Sequence, residues 1–126
     1  MKKNDTLAWL SLISLVLVLM HLPDDYVHGF DQTVVNTPYP ILIFVMWACG
    51  LLLVRDRLIG RIILLLGGII AVAMPVIHLR GHFSPNFATS DGAYRFIWTL
   101  YAVGTTGALT VIFALRELLT RRPSSG

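Results

Sequence analysis

The sequence predicts an all-α integral membrane protein, folded as an up-down-up-down four-helix bundle. Of its 126 residues, 56% are hydrophobic and only 13% are charged, whereas soluble domains carry roughly 25% charged residues. The apolar residues form runs that approach or exceed the roughly 17–25 residues needed to span hydrocarbon. Because a chain of this length cannot hide so much apolar surface in a soluble core, we expect one transmembrane domain over residues 1–126.

Four apolar segments define the expected spans, at about residues 7–22, 39–54, 58–79 and 93–115. The first span follows a basic start, a pattern that a cleaved signal peptide also has. The segment Met20-His21-Leu22-Pro23-Asp24 lacks a small-x-small cleavage pattern, however, so we expect this helix to be retained. The loops are short, and lipid requires backbone polar groups to be satisfied within each helix. Together these constraints favour a compact antiparallel bundle.

Positive charge is divided unequally between the two sides of the predicted bundle. Eight residues fall on one side: Lys2, Lys3, Arg55, Arg57, Arg61, Arg116, Arg121 and Arg122. Arg80 and Arg95 fall on the other. Cytoplasmic loops carry the excess of Lys and Arg, so we expect both termini in the cytoplasm. The same bias accounts for the net charge of +3 without nucleic acid. The expected partners are the lipid bilayer and other membrane protein subunits.

Small residues indicate which helix faces pack together. Gly67 and Ala71 in the third span, and Gly104 and Ala108 in the fourth, have the small-xxx-small spacing of closely packed membrane helices. His78 continues the stripe of Gly67 and Ala71, so it should point into the bundle. His21 lies on one stripe with the polar Ser14, and we expect that stripe to face inward as well.

Histidines and carboxylates concentrate at the extracytoplasmic ends of the predicted spans. The candidate metal ligands are His21, Asp24, Asp25, His28, His78 and His82. If the first helix continues past Pro23, its four candidates share one face, and the other two are histidines at a spacing of four. Imidazole and carboxylate ligands suit zinc or oxidised copper. We expect His21 and His78 to converge with at least one of Asp24 and Asp25.

Three functions are compatible with this pattern. The first is a non-enzymatic accessory or assembly component of a membrane complex, with a structural His/Asp network at its outer rim. The second is metal binding, of zinc or copper, at that rim. The third is a redox subunit with a b-type haem between His21 and His78. Catalysis is not expected, because no nucleophile stands beside a base in a recognisable motif. No Asp or Glu falls inside a predicted span, which argues against proton-coupled drug exporters.

The segment His21-Leu22-x-Asp24-Asp25, followed by Gly29-Phe30, resembles small, uncharacterised bacterial inner-membrane proteins. Those proteins have four spans and an H-L-x-D-D segment after the first helix. The direct likeness covers about ten residues. It implies a location in a bacterial inner membrane and implies no activity.

Overall fold

The chain forms an all-α four-helix bundle, described here by a computed structural model that covers residues 5–31, 36–80 and 87–120. The helices are α1 (Asp5–His28), α2 (Tyr39–Leu52), α3 (Leu58–Arg80) and α4 (Ala93–Leu119), with a short 3-10 helix at Phe87–Thr89. Each helix packs against the next along the chain, and α4 closes the ring against α1. The predicted fold class is therefore confirmed.

Three of these helices, α1, α3 and α4, are long and apolar enough to cross a membrane. The second predicted span corresponds to α2, a shorter apolar helix of 14 residues. It begins with Pro38 and Pro40 around its first turn, where the missing N–H groups leave no hydrogen bond unmade. That the chain crosses the bilayer four times, as a single domain, remains a prediction.

The bundle exposes many large apolar side chains and buries several polar ones beside its hydrophobic core. On α1, Ile13, Val16 and Leu19 are exposed, whereas Ser11 and Ser14 are completely buried. The Ser14 hydroxyl donates to Thr106 Oγ1 on α4 at 2.8 Å. A soluble protein rarely exposes contiguous apolar surface on this scale, so this distribution indicates a lipid-facing exterior.

The helix bounds differ from the predicted spans most at the end of α1, which runs to His28 rather than to residue 22. Pro23 lies inside the helix. The hydropathy pattern placed the end early because Asp24 and Asp25 are charged. In the folded chain both carboxylates have cationic or imidazole partners, and pairing reduces the free energy of burying charge.

Glycines bring α3 against its two neighbours. An added Cβ on Gly67 would lie 2.5 Å from the Trp47 ring of α2, and one on Gly107 would lie 2.5 Å from Ala71 Cβ. Gly67 and Ala71 are buried, as predicted. On α4, Gly107 is buried, whereas Gly104 is partly buried. Gly104 nevertheless packs on α3, since an added Cβ would lie 2.7 Å from Pro75 Cγ. The contact face of α4 therefore includes Gly104 and extends to Gly107.

The end of the bundle that holds residue 5 also holds the turn between α2 and α3. Asp5, Ala8 and Arg55 line one open groove there. At this end a buried ion pair joins α3 to α4, with Arg61 Nε 3.3 Å from Glu117 Oε2. The first described residue and the end of α4 therefore lie on the same side, as an even number of crossings requires.

Candidate metal centre

Two helices place three metal-ligating side chains together at the opposite end of the bundle. His21 and Asp25 lie one turn apart on α1, and His78 lies in the last turns of α3. All three are buried, with relative exposures of 0%, 0% and 4%. One ligand atom from each lies within 4.8 Å of the other two. The predicted convergence of His21, His78 and one of the two aspartates is confirmed.

Both imidazoles present the same ring nitrogen to the same carboxylate. His78 Nε2 lies 3.3 Å from Asp25 Oδ2, and His21 Nε2 lies 3.6 Å from that oxygen. The rings stand edge to face, with centroids 5.2 Å apart. Asp25 is thus the common partner of both histidines.

Hydrogen bonds on the far side of each ring fix the proton positions. His78 Nδ1 lies 2.9 Å from the Met74 carbonyl oxygen, which only accepts, so Nδ1 carries a hydrogen. His21 Nδ1 lies 3.0 Å from Thr99 Oγ1. The Thr99 hydroxyl is within donating distance of the Arg95 and Phe96 carbonyls, at 2.9 and 3.0 Å, and therefore accepts from His21. When neutral, each ring points an Nε2 lone pair towards Asp25.

This arrangement creates an electrostatic conflict that a cation resolves. Two lone pairs facing a buried carboxylate repel it, and His21 Nε2 and Asp25 Oδ1 have no hydrogen-bond partner among the residues that the structure describes. Leaving buried polar atoms unpaired costs roughly 1–3 kcal/mol each. Either a proton on an imidazole or a metal ion among the three side chains removes the repulsion. Orientation of ligand histidines through Nδ1–H is a common feature of metal sites.

Three of the six candidate ligands, Asp24, His28 and His82, are not members of this group of three. Asp24 accepts hydrogen bonds from Arg95, through Nε at 2.8 Å and through a terminal guanidinium nitrogen. His28 is exposed, and its Nδ1 donates to the Asp24 carbonyl oxygen at 3.2 Å. His82 lies outside the described residues, so its place relative to the site remains a prediction.

Aromatic rings surround the polar group and lower the local dielectric constant. Phe96 is completely buried, with its ring centroid 4.3 Å from that of His21 and 5.7 Å from that of His78. Phe30 and Phe87 pack on Phe96 in turn, at 5.1 and 5.7 Å. Electrostatic interactions between buried groups are stronger in such a setting.

Sequence reasoning missed several residues that build the site. Thr99 orients His21 and Arg95 neutralises Asp24, although neither was a candidate. Asp24 and Asp25 belong to α1, which continues past the predicted end of the first span. That neither carboxylate lies within the hydrocarbon remains a prediction. The i,i+4 spacing of His21 and Asp25 was the signal available for their pairing.

A b-type haem does not fit between His21 and His78. Both Nε2 atoms face the Asp25 carboxylate, and Phe96 packs directly against both imidazoles. The cavity that reaches Asp25 and His78 has a volume of about 150 Å³, whereas cofactor pockets occupy roughly 300–1,000 Å³. These two histidines therefore do not form a pair of axial haem ligands.

Comparison of the chain with protein-family models, curated proteins and solved structures finds no match. Two imidazole nitrogens and a carboxylate oxygen form a ligand set suited to zinc or oxidised copper. Bonds of about 2.0–2.1 Å to a tetrahedral ion separate its ligand atoms by about 3.3 Å. The two separations between imidazole nitrogen and carboxylate oxygen, 3.3 and 3.6 Å, are close to this value, and the third, between the two Nε2 atoms, is at most 4.8 Å.

Proposed function

We propose that this protein is a non-enzymatic membrane protein that binds one divalent transition-metal ion through His21, Asp25 and His78. Zinc or oxidised copper is the expected metal. We further propose that it serves a bacterial inner-membrane complex as an accessory or assembly component. We base the proposed metal site on one observation: two imidazole Nε2 atoms point towards the same buried carboxylate.

The role of a cation here follows from charge. Asp25 is buried at 0% exposure, and a carboxylate in that position is costly unless it is paired. Arg95 already neutralises Asp24. A divalent ion coordinated by Asp25 and both imidazoles would satisfy His21 Nε2 and compensate the carboxylate at once. Its ligands are held on two different helices, so binding would also join α1 to α3.

A structural network is the second candidate, and one distance favours it. His78 Nε2 is 3.3 Å from Asp25 Oδ2, within hydrogen-bonding range. A protonated His78 would donate to Asp25 and form a charge-assisted hydrogen bond without metal. In this case the site has a structural role in the bundle, and the proposed function is the accessory role without metal binding.

Metal content separates the two candidates. The protein is purified in detergent after exposure to zinc or copper(II), and bound metal is measured by mass spectrometry. The metal proposal expects about one ion per chain in the wild type and in Asp91→Ala, and little in His21→Ala. Asp91 is the control because it is an exposed carboxylate at the same end of the bundle and outside the group. Wild type that retains no more metal than His21→Ala would overturn the proposal and favour the network.

The accessory role requires its own experiment. The tagged chain is purified from its own membrane in mild detergent after cross-linking. A membrane protein recovered in fixed stoichiometry, and lost when the detergent is made harsher before cross-linking, supports that role. Recovery of the chain alone contradicts it.

A further inference from the structure

The segment after α1 turns back over the polar group instead of leaving the bundle. Gly29 adopts a left-handed backbone conformation with φ 60, which residues with a Cβ rarely adopt. Its N–H donates to the Asp25 carbonyl oxygen at 2.8 Å and closes the end of α1. The chain direction thus changes within a single residue, directly beside the site.

Phe30 fixes this turn against the rest of the protein. Its side chain is 1% exposed and stands edge to face against Phe87 and Phe96, at centroid distances of 4.9 and 5.1 Å. The His28 ring stacks on its other face at 4.8 Å. An aromatic ring buried on several sides leaves little freedom to the residue that follows it.

The following residue, Asp31, lies beside His78. Its exposure is 2%, and its Oδ2 is 3.9 Å from His78 Nε2. That separation exceeds the tetrahedral edge of about 3.3 Å, and Asp31 stands outside the group of three whose ligand atoms all lie within 4.8 Å of one another. Its carboxylate would therefore rotate inward to reach an ion held by that group. A second carboxylate therefore stands beside the three-residue group, contributed by the turn and not by a helix.

Other sources of a fourth ligand are poorly placed among the described residues. Asp24 is held by Arg95. The cavity between α1, α2 and α3 that reaches the site offers apolar walls, such as Leu22, Phe44 and Ile77, besides Asp25 and His78 themselves. A metal ion held by the three side chains would find its next charged oxygen on Asp31.

We infer that Asp31 is the fourth metal ligand and completes a site of two histidines and two aspartates. This inference rests on the proposed metal-binding function. Four protein ligands make a closed site, as structural zinc sites have, whereas catalytic sites keep one position open. The bound ion then holds α1, α3 and the Gly29–Asp31 turn together, and it leaves no position for a substrate.

Cobalt(II) in place of zinc tests the ligand directly, because its visible absorption reports coordination number. The wild-type protein loaded with cobalt should show the intense bands of a four-coordinate ion. Asp31→Asn should weaken those bands and lower cobalt affinity at least tenfold, since water replaces a charged ligand. Asp31→Cys should restore them and add a near-ultraviolet band for thiolate-to-cobalt charge transfer. Folding of each variant is checked by circular dichroism.

Matched controls come from Asp91, an exposed carboxylate just before α4. Asp91→Asn should leave the spectrum unchanged, and Asp91→Cys should give no charge-transfer band. Wild type that binds no cobalt contradicts the proposed function itself. Wild type that binds cobalt, with Asp31→Asn unchanged and no new band in Asp31→Cys, overturns only the assignment of Asp31.

Discussion

Arg95 on α4 neutralises Asp24 on α1 in an ion pair whose two members differ sharply in exposure. The Asp24 side chain is 2% exposed, whereas that of Arg95 is 59% exposed. The guanidinium reaches in from the surface and covers the carboxylate with two donors. Loss of the arginine would therefore leave a buried negative charge, whereas loss of the aspartate would leave a cation in contact with water.

The first prediction follows from this asymmetry. Arg95→Gln should lower Tm in detergent more than Asp24→Asn does, because an unpaired buried charge is the costlier defect. The double variant Asp24→Asn/Arg95→Gln should be more stable than Arg95→Gln alone. Arg80→Gln, at an exposed arginine on the same side, is the control. Equal Tm for Arg95→Gln and Arg80→Gln would show that the pair contributes nothing measurable.

The second prediction concerns the ion pair at the other end of the bundle. Arg61 and Glu117 have side-chain exposures of only 10% and 11%. Breaking a buried pair typically costs about 3–5 kcal/mol, so Glu117→Gln should lower the free energy of unfolding by up to that amount. Replacing both residues by methionine should recover most of the loss, since apolar replacement of a whole pair is often neutral or stabilising.

Reversible unfolding in a denaturing detergent measures both variants of that pair. Asp56→Asn, at an aspartate whose side chain is 77% exposed, is the control and should change little. A Glu117→Gln protein as stable as the control would mean that Arg61 and Glu117 do not hold α3 to α4.

The third prediction tests the interface between α3 and α4. Gly107→Leu should destabilise the protein, because an added Cβ would meet Gly68 O at 3.0 Å as well as Ala71 Cβ at 2.5 Å. Overpacking typically costs about 1–3 kcal/mol, and contact with backbone should place this variant at the upper end. Thr105→Leu, on the exposed face of α4, should be nearly neutral by the same unfolding measurement. Equal stability of the two variants would contradict the interface.

The fourth prediction concerns orientation in the membrane. Eight Lys and Arg residues lie on one predicted side and two on the other, so both termini should be cytoplasmic. A cytoplasmic reporter fused at the C-terminus should be active, and a periplasmic reporter should be silent. The opposite result would mean either that the first helix is cleaved, which makes the number of crossings odd, or that the bundle is inserted in the inverted orientation.

The fold was predictable because apolar run length and small-residue spacing depend on local sequence alone. The convergence of His21 and His78 was predictable for a related reason, since each lies on a stripe with small or polar neighbours. Asp31 was not predictable as part of the site, because its position depends on the left-handed turn at Gly29 and on the burial of Phe30. In the sequence, Arg95 was only an exception to the charge bias. Its pairing with Asp24 was not predictable, because it depends on the packing of α1 against α4.

The extension of α1 to His28 illustrates a limit of hydropathy. A hydropathy window treats every aspartate as hydrated, whereas the protein supplies Asp24 and Asp25 with partners from α4 and α3. Charge pairing across helices is a tertiary property. The first predicted span therefore ended before Asp24, because the partners of Asp24 and Asp25 lie on other helices and hydropathy does not reveal them.

The unequal helix lengths give the bundle a perimeter of uneven height. With 14 residues, α2 rises about 21 Å, whereas α3, with 23 residues, rises about 35 Å. The hydrocarbon of a typical bilayer is about 30 Å thick. If all four helices cross the bilayer as predicted, the lipids beside α2 must compress locally, whereas those beside α3 are matched or the helix tilts. Such mismatch is resolved at a modest free-energy cost. The protein should therefore deform the membrane on one flank only and favour thinner bilayers along that edge.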